Sequence, residues 1–163
     1  MNKEEDAYAL ANKLDASTER SKLTPYRQAL QQFGQQHCFY CHKGLRQEGA
    51  ATPVDHCIPW SFVKDDKLWN FVLSCPACNS AKSNTLPAES YLADMKRRNL
   101  SLLNLDLPLV REDFKSYTYS KLEAMYRSAL FNGFQSGWKP RTIAALPAYD
   151  FGDGGYASMA DGE

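Results

Sequence analysis

The 163 residues carry 19 basic and 19 acidic side chains, with 44% hydrophobic and 12% aromatic content, which bounds the chain to one modest domain with its own core and appendages. No apolar run approaches the roughly 18 to 20 residues that span a bilayer, and the opening Met1-Asn-Lys-Glu-Glu-Asp is too charged for a signal peptide, so no membrane partner and a cytoplasmic setting are expected. The formal charge of zero hides an uneven distribution. Residues 1–20 hold 3 basic and 5 acidic groups and residues 146–163 hold 4 acidic and no basic ones, leaving 16 against 10, a net of +6, for residues 21–145. An excess of that size is compatible with phosphate binding.

Along the chain, residues 3–14 show a weak helical pattern, and residues 1–35 read as a helical segment. Thr24-Pro25 reads as an N-cap followed by proline at the first helical position; Tyr26, Ala29, Leu30 and Phe33 then recur at helical spacing until Gly34. Cys38 and Cys41 follow, then a polar loop from Gly44 to Thr52. Val54 to Ile58 and Phe71 to Leu73 are β-prone and short enough to pair as a hairpin. The connection from Pro59 to Asn70 is long for a hairpin, and ordered long connections are often functional. Trp60 and Trp69 within it read as core.

Cys75 and Cys78 run into a short helix expected through Asn84, and Pro87 opens another with Tyr91, Leu92 and Met95 on one face, ending at Lys96-Arg97-Arg98. Leu100 to Val110 reads as either a strand or a buried linker. Residues 111–132 are expected to form the longest helix, with Leu122, Met125, Tyr126, Ala129 and Leu130 at packing positions before Gly133. The tail from 146 to 163 is small, polar and acidic and is expected to be disordered.

Cysteine usage narrows the chemistry. Four of five cysteines lie in two Cys-x-x-Cys pairs, Cys38/Cys41 and Cys75/Cys78, as structural zinc in a reducing compartment requires. Four thiolates leave no open coordination position, so this Zn2+ is a staple rather than a catalyst. His37 and His42 flank the first pair but are not needed to complete it. Cys57 is left over and reads as a buried thiol on the strand face opposite His56. The 33 residues between the pairs exceed the roughly 15 to 20 of a plain zinc ribbon, and the insert contains Asp55-His56.

Asp55-His56, Asn70 fourteen positions after His56, and Asn79 nine positions later, within Cys75-x-x-Cys78-Asn79-x-x-Lys82, together resemble an HNH endonuclease over residues 36–99. The resemblance implies an α+β fold, a zinc-bound ββα-metal nuclease module embedded in flanking helices, with 100–145 as a helical extension. It implies catalytic residues His56, Asp55, Asn70 and Asn79: Asp55 and Asn79 as ligands of a divalent cation, Mg2+ or Mn2+, and His56 as general base. Asn70 would tie the loop to the backbone near the histidine. Lys82, Lys96, Arg97 and Arg98 are the expected phosphate contacts. Proteins resembling this one occur in restriction, recombination, CRISPR-associated and anti-phage systems, so the expected partner is nucleic acid, DNA before RNA, with a protein partner or a larger polypeptide supplying targeting. The competing readings are an RNA-cutting HNH nuclease and a catalytically silent zinc-binding adaptor.

Overall fold

The computed structural model describes residues 22–46 and 52–145. The helical pattern at 3–14, most of the loop ahead of Thr52 and the acidic tail at 146–163 lie outside the described residues. Helix α1 covers residues 22–33 and is already helical before Thr24-Pro25, so that dipeptide is not its start. It stops at Gly34, which has φ 101° and a backbone N–H bonded to the Gln31 carbonyl while Gln35 N–H reaches the Leu30 carbonyl. That left-handed turn is one glycine adopts without a Cβ clash. Leu30 is fully buried, and Tyr26 packs its ring 4.7 Å from Phe71.

Strand β1 (Val54–His56) pairs antiparallel with β2 (Phe71–Leu73) in the register Val54 to Leu73, Asp55 to Val72 and His56 to Phe71. The first strand is shorter than the expected Val54 to Ile58 for a physical reason. Cys57 N–H still reaches the Asn70 carbonyl, but both backbone groups of Ile58 are taken by the Asn70 side chain instead of a strand partner. Between the strands lie α2 (Trp60–Val63) and a 3-10 turn at Leu68–Asn70. Trp69 is core as expected, whereas Trp60 is 50% exposed, with Lys64 Nζ 5.1 Å from its ring centre.

Helix α3 (Pro76–Lys82) follows β2, and α4 (Ser90–Leu102) buries Tyr91, Leu92, Met95, Arg98, Asn99 and Leu102 along one stripe. The segment after residue 100 is therefore first helix and then loop, and α4 runs across position 99. The single helix expected at 111–132 is instead α5 (Pro108–Asp113), a 3-10 turn at Phe114–Ser116 and α6 (Lys121–Phe131), so α4 is longer than any of them. The helix ends at Asp113 because that residue is used elsewhere. Its carboxylate accepts the buried Leu68 N–H at 2.7 Å and its carbonyl accepts Trp69 Nε1–H at 3.1 Å. Tyr117 is then extended, and the chain turns before α6.

Two three-residue strands cannot stand alone in water. Here they share one core with the helices, which includes Ile58, Leu68, Phe71, Leu86, Met95 and Leu122, and α1, α3 and α4 contact them directly through Tyr26, Lys82 and Arg98. Among the described residues no helix is long and apolar enough to cross a membrane.

Candidate functional site

The two cysteine pairs meet although 33 residues separate them. The first sits on a tight turn whose Cys38 N–H and carbonyl bond to Lys43 and His42, with His42 in the left-handed region at φ 62°. The second begins α3, where Cys75 is the N-cap and its Sγ accepts the Cys78 N–H at 3.4 Å. All four Sγ atoms lie within 4.8 Å of one another, and Cys41 Sγ is 3.7 Å from Cys75 Sγ. Zinc–sulfur bonds of about 2.3 Å in a tetrahedron require edges near 3.8 Å, so the cluster fits a metal ion such as zinc. Burial pushes the Cys38 thiol up to about 11 and raises Cys78 as well. At Cys75 burial is outweighed by hydrogen bonds from Cys78 and the neighbouring thiols, which hold it below its ordinary value. Neither His37 nor His42 joins the cluster.

Asp55 leaves β1 toward α3 and is 8% exposed. Its Oδ2 accepts the Tyr40 hydroxyl at 2.6 Å and lies 3.1 Å from Lys82 Nζ. Burial, then the Asp55 charge, raises the Tyr40 phenol well above its ordinary value, so it stays a proton donor. Cys57, fully buried nearby, is pushed up by burial to about 11 and stays a thiol. Among the described residues nothing hydrogen bonds Asp55 Oδ1 or the Asn79 side chain, which lies one helical turn before Lys82 on α3. Both are hard oxygen donors of the type that suits Mg2+ or Mn2+.

His56 faces the other way. Its ring is 4.3 Å from Phe71, and Nε2 lies 2.8 Å from Asp66 Oδ1. Asp66 belongs to the long connection, and its own carbonyl accepts the Tyr26 hydroxyl at 3.1 Å. Tyr26, pushed up to about 12 chiefly by burial and then by Asp113 and Asp66, keeps that proton. A helix outside the hairpin thus braces both the ring that stacks on His56 and the loop that holds it. Asn70 clamps the same region: its Oδ1 accepts Ile58 N–H and its Nδ2 donates to Ile58 O, each at 2.9 Å.

The expected phosphate contacts are placed differently. Lys82 is fully buried, donating to the His56 carbonyl at 2.8 Å and pairing with Asp55, because its stem runs under the hairpin rather than outward. Arg98 is 4% exposed and donates to the Phe71 carbonyl at 2.7 Å and to Asn99 Oδ1 at 3.0 Å. Lys96 is paired with Glu123 at 2.9 Å and sits 4.8 Å from the Tyr119 ring centre. Arg97 is exposed but paired with Asp94. Tyr40, Asp66 and Tyr26 were missed by reading the sequence; the one signal for Asp66 was an acidic residue in an unusually long connection beside the histidine.

Fold and site together define a hairpin-and-helix module of α+β type with a four-cysteine cluster that could hold a metal ion, carrying a buried carboxylate, an oriented histidine and two asparagines. Residues 38–88, the stretch that holds both cysteine pairs and the hairpin, match the HNH endonuclease family.

Proposed function

We propose that the protein is a metal-dependent HNH endonuclease that hydrolyses phosphodiester bonds, in DNA before RNA. The observation that carries this reading is the 2.8 Å contact between His56 Nε2 and Asp66. A carboxylate at Nε2 selects the tautomer with its proton on that nitrogen, and the lone pair then resides on Nδ1. Among the described residues no group hydrogen bonds Nδ1.

His56 Nδ1 takes a proton from the attacking water as the new phosphorus–oxygen bond forms and the bond to the leaving oxygen breaks. Asp66 stabilises the imidazolium that results, while Phe71 and Tyr26 keep the ring from turning. Asp55 and Asn79 are the residues that would hold a divalent cation, which when bound neutralises charge developing on the phosphate and the leaving oxygen. Tyr40 and Lys82 fix the Asp55 carboxylate through Oδ2, so that Oδ1 is presented. The cysteine cluster, as structural zinc, holds the start of α3 against the turn before β1.

The test uses purified protein with magnesium on plasmid DNA and on a folded RNA, beside His56→Ala checked for zinc content. Loss of the base is expected to reduce cleavage roughly 10²- to 10⁴-fold. Equal cleavage by both proteins refutes the mechanism, and no cleavage by either favours a silent zinc adaptor.

A further inference from the structure

A groove of about 850 Å³ opens beside the cysteine cluster, away from His56. One wall is the turn after Cys41, with Lys43 and Arg46; the other is the segment after Trp138, with Lys139 and Arg141. Its floor includes Ala77 and Ala81 of α3. These two alanines lie about 160° around the helix from Asn79, at 100° per residue, so the groove and Asn79 lie on opposite sides of α3.

The far wall is built rather than incidental. Trp138 is tied to the chain ahead of α4 by Ala88 N–H to its carbonyl at 2.9 Å and by its own N–H to the Leu86 carbonyl at 3.2 Å, and its ring packs edge-on 5.2 Å from Tyr40. Six residues on, Ala144 N–H is bonded to the Cys41 carbonyl at 2.8 Å and its carbonyl lies 3.3 Å from His42 Nδ1. The arch between these anchors holds Lys139 and Arg141 opposite Lys43 and Arg46.

All four cations are exposed, and among the described residues none makes an ion pair or side-chain hydrogen bond. No described residue lining the groove is acidic. Of the described basic side chains elsewhere, Lys82 and Arg98 are buried and Lys96, Arg97, Arg111, Lys115 and Arg127 are paired, while Lys22, Lys64 and Lys67 make no ion pair and do not line this groove. Ser74 also lines the groove, and its buried Oγ has no hydrogen-bond partner among the described residues. Cations on two walls over an apolar floor suit a single nucleic-acid strand, phosphates to the rims and sugar and base faces to the floor.

We propose that this groove is a second nucleic-acid site, which holds one strand of the substrate away from the point of cleavage through Lys43, Arg46, Lys139 and Arg141. The proposal rests on the nuclease reading for its substrate class, but its test reads binding alone. In the His56→Ala background, binding of fluorescein-labelled oligo-dT is followed by anisotropy across a salt series, with and without Lys139→Gln/Arg141→Gln and the fourfold Gln variant. Each lost phosphate contact lowers the slope of log affinity against log salt by about 0.7, so losses of about 1.4 and about 2.8 are expected. A control variant, Arg111→Gln/Lys115→Gln, is expected to leave the slope unchanged, and zinc content and melting temperature check folding. An unchanged slope in both groove variants overturns the proposal, whether or not the parent enzyme cleaves. The same holds if those variants lose binding of poly-glutamate but not of oligo-dT, which assigns the groove to an acidic peptide.

Discussion

Replacing Lys82 with methionine separates two roles that the same residue type could play. The lysine side chain is 0% exposed, its Nζ lies 2.8 Å from the His56 carbonyl and 3.1 Å from Asp55 Oδ2, and the Asp55 side chain is 11% exposed. Methionine keeps most of the stem's volume, so little cavity forms and the change is chiefly loss of the ammonium. Removing one partner of a buried ion pair costs about 3 to 5 kcal/mol, because the other charge is left uncompensated. Tyr40 still donates to Asp55 Oδ2 at 2.6 Å, which places the expected cost at the lower end, about 3 kcal/mol. For a chain of this length that corresponds to a fall in Tm of about 6 to 12 °C. The assay is calorimetry on zinc-loaded protein without added magnesium, with Asp55→Asn as the second arm of a double-mutant cycle. Asp55→Asn in the Lys82→Met background is expected to recover part of the loss, with a coupling of about 1 to 3 kcal/mol. If Lys82→Met melts within about 1 °C of the parent and instead weakens nucleic-acid binding with a shallower salt dependence, Lys82 is a phosphate contact and the structural reasoning fails.

Two other expectations concern the supports of the site. Cys75→Ser is expected to lose bound zinc and cooperative melting together, since structural zinc contributes on the order of 10 to 16 kcal/mol in small zinc domains; a cooperative melt in zinc-free protein would show that the cysteines are not the staple. Asp66→Asn keeps the size of the side chain and an acceptor for His56 Nε2 but removes the charge, and is expected to lower kcat roughly 10- to 100-fold with little change in KM, the scale on which outer partners of functional histidines act. An unchanged kcat, with His56→Ala inactive, would mean that Asp66 neither sets the tautomer nor stabilises the imidazolium.

What the sequence makes legible is local. The cysteine spacings, the pairing of the hairpin, the stop at Gly34 and the burial of Trp69 follow from patterns within a few residues, and the structure shows each, with the first strand ending at His56 rather than Ile58. What it hides is which polar residues are buried. Lysine and arginine are almost never fully buried unless paired, so Lys82 and Arg98 read as surface cations until their partners in another element are known. Asp66 is ten positions from His56 along a polar connection, and only the fold of that connection returns its carboxylate to the ring. The split of the helix expected at 111–132 has the same origin: the apolar period continues through it, but Asp113 is held by Leu68 and Trp69, 45 and 44 positions earlier, and the helix ends where that contact is made.

These nonlocal bonds converge on one stretch. Leu68 to Phe71 carries the chain from the His56 connection into β2, and four of its polar groups are met from beyond the HNH match at 38–88. Arg98 donates to the Phe71 carbonyl, Asn99 Nδ2 to the Trp69 carbonyl at 2.8 Å, and Asp113 receives the Leu68 N–H and Trp69 Nε1–H. Leu68, Trp69 and Phe71 are all buried, so water cannot replace those partners, and each lost one would cost about 1 to 3 kcal/mol. The cysteine cluster anchors one end of the hairpin, at Cys75, and this polar seam anchors the other, at Phe71. His56 sits across from Phe71 in the register, so the position of its ring depends on α4 and α5 as directly as on the cysteines, and the HNH-matched stretch draws its rigidity from residues that lie outside it.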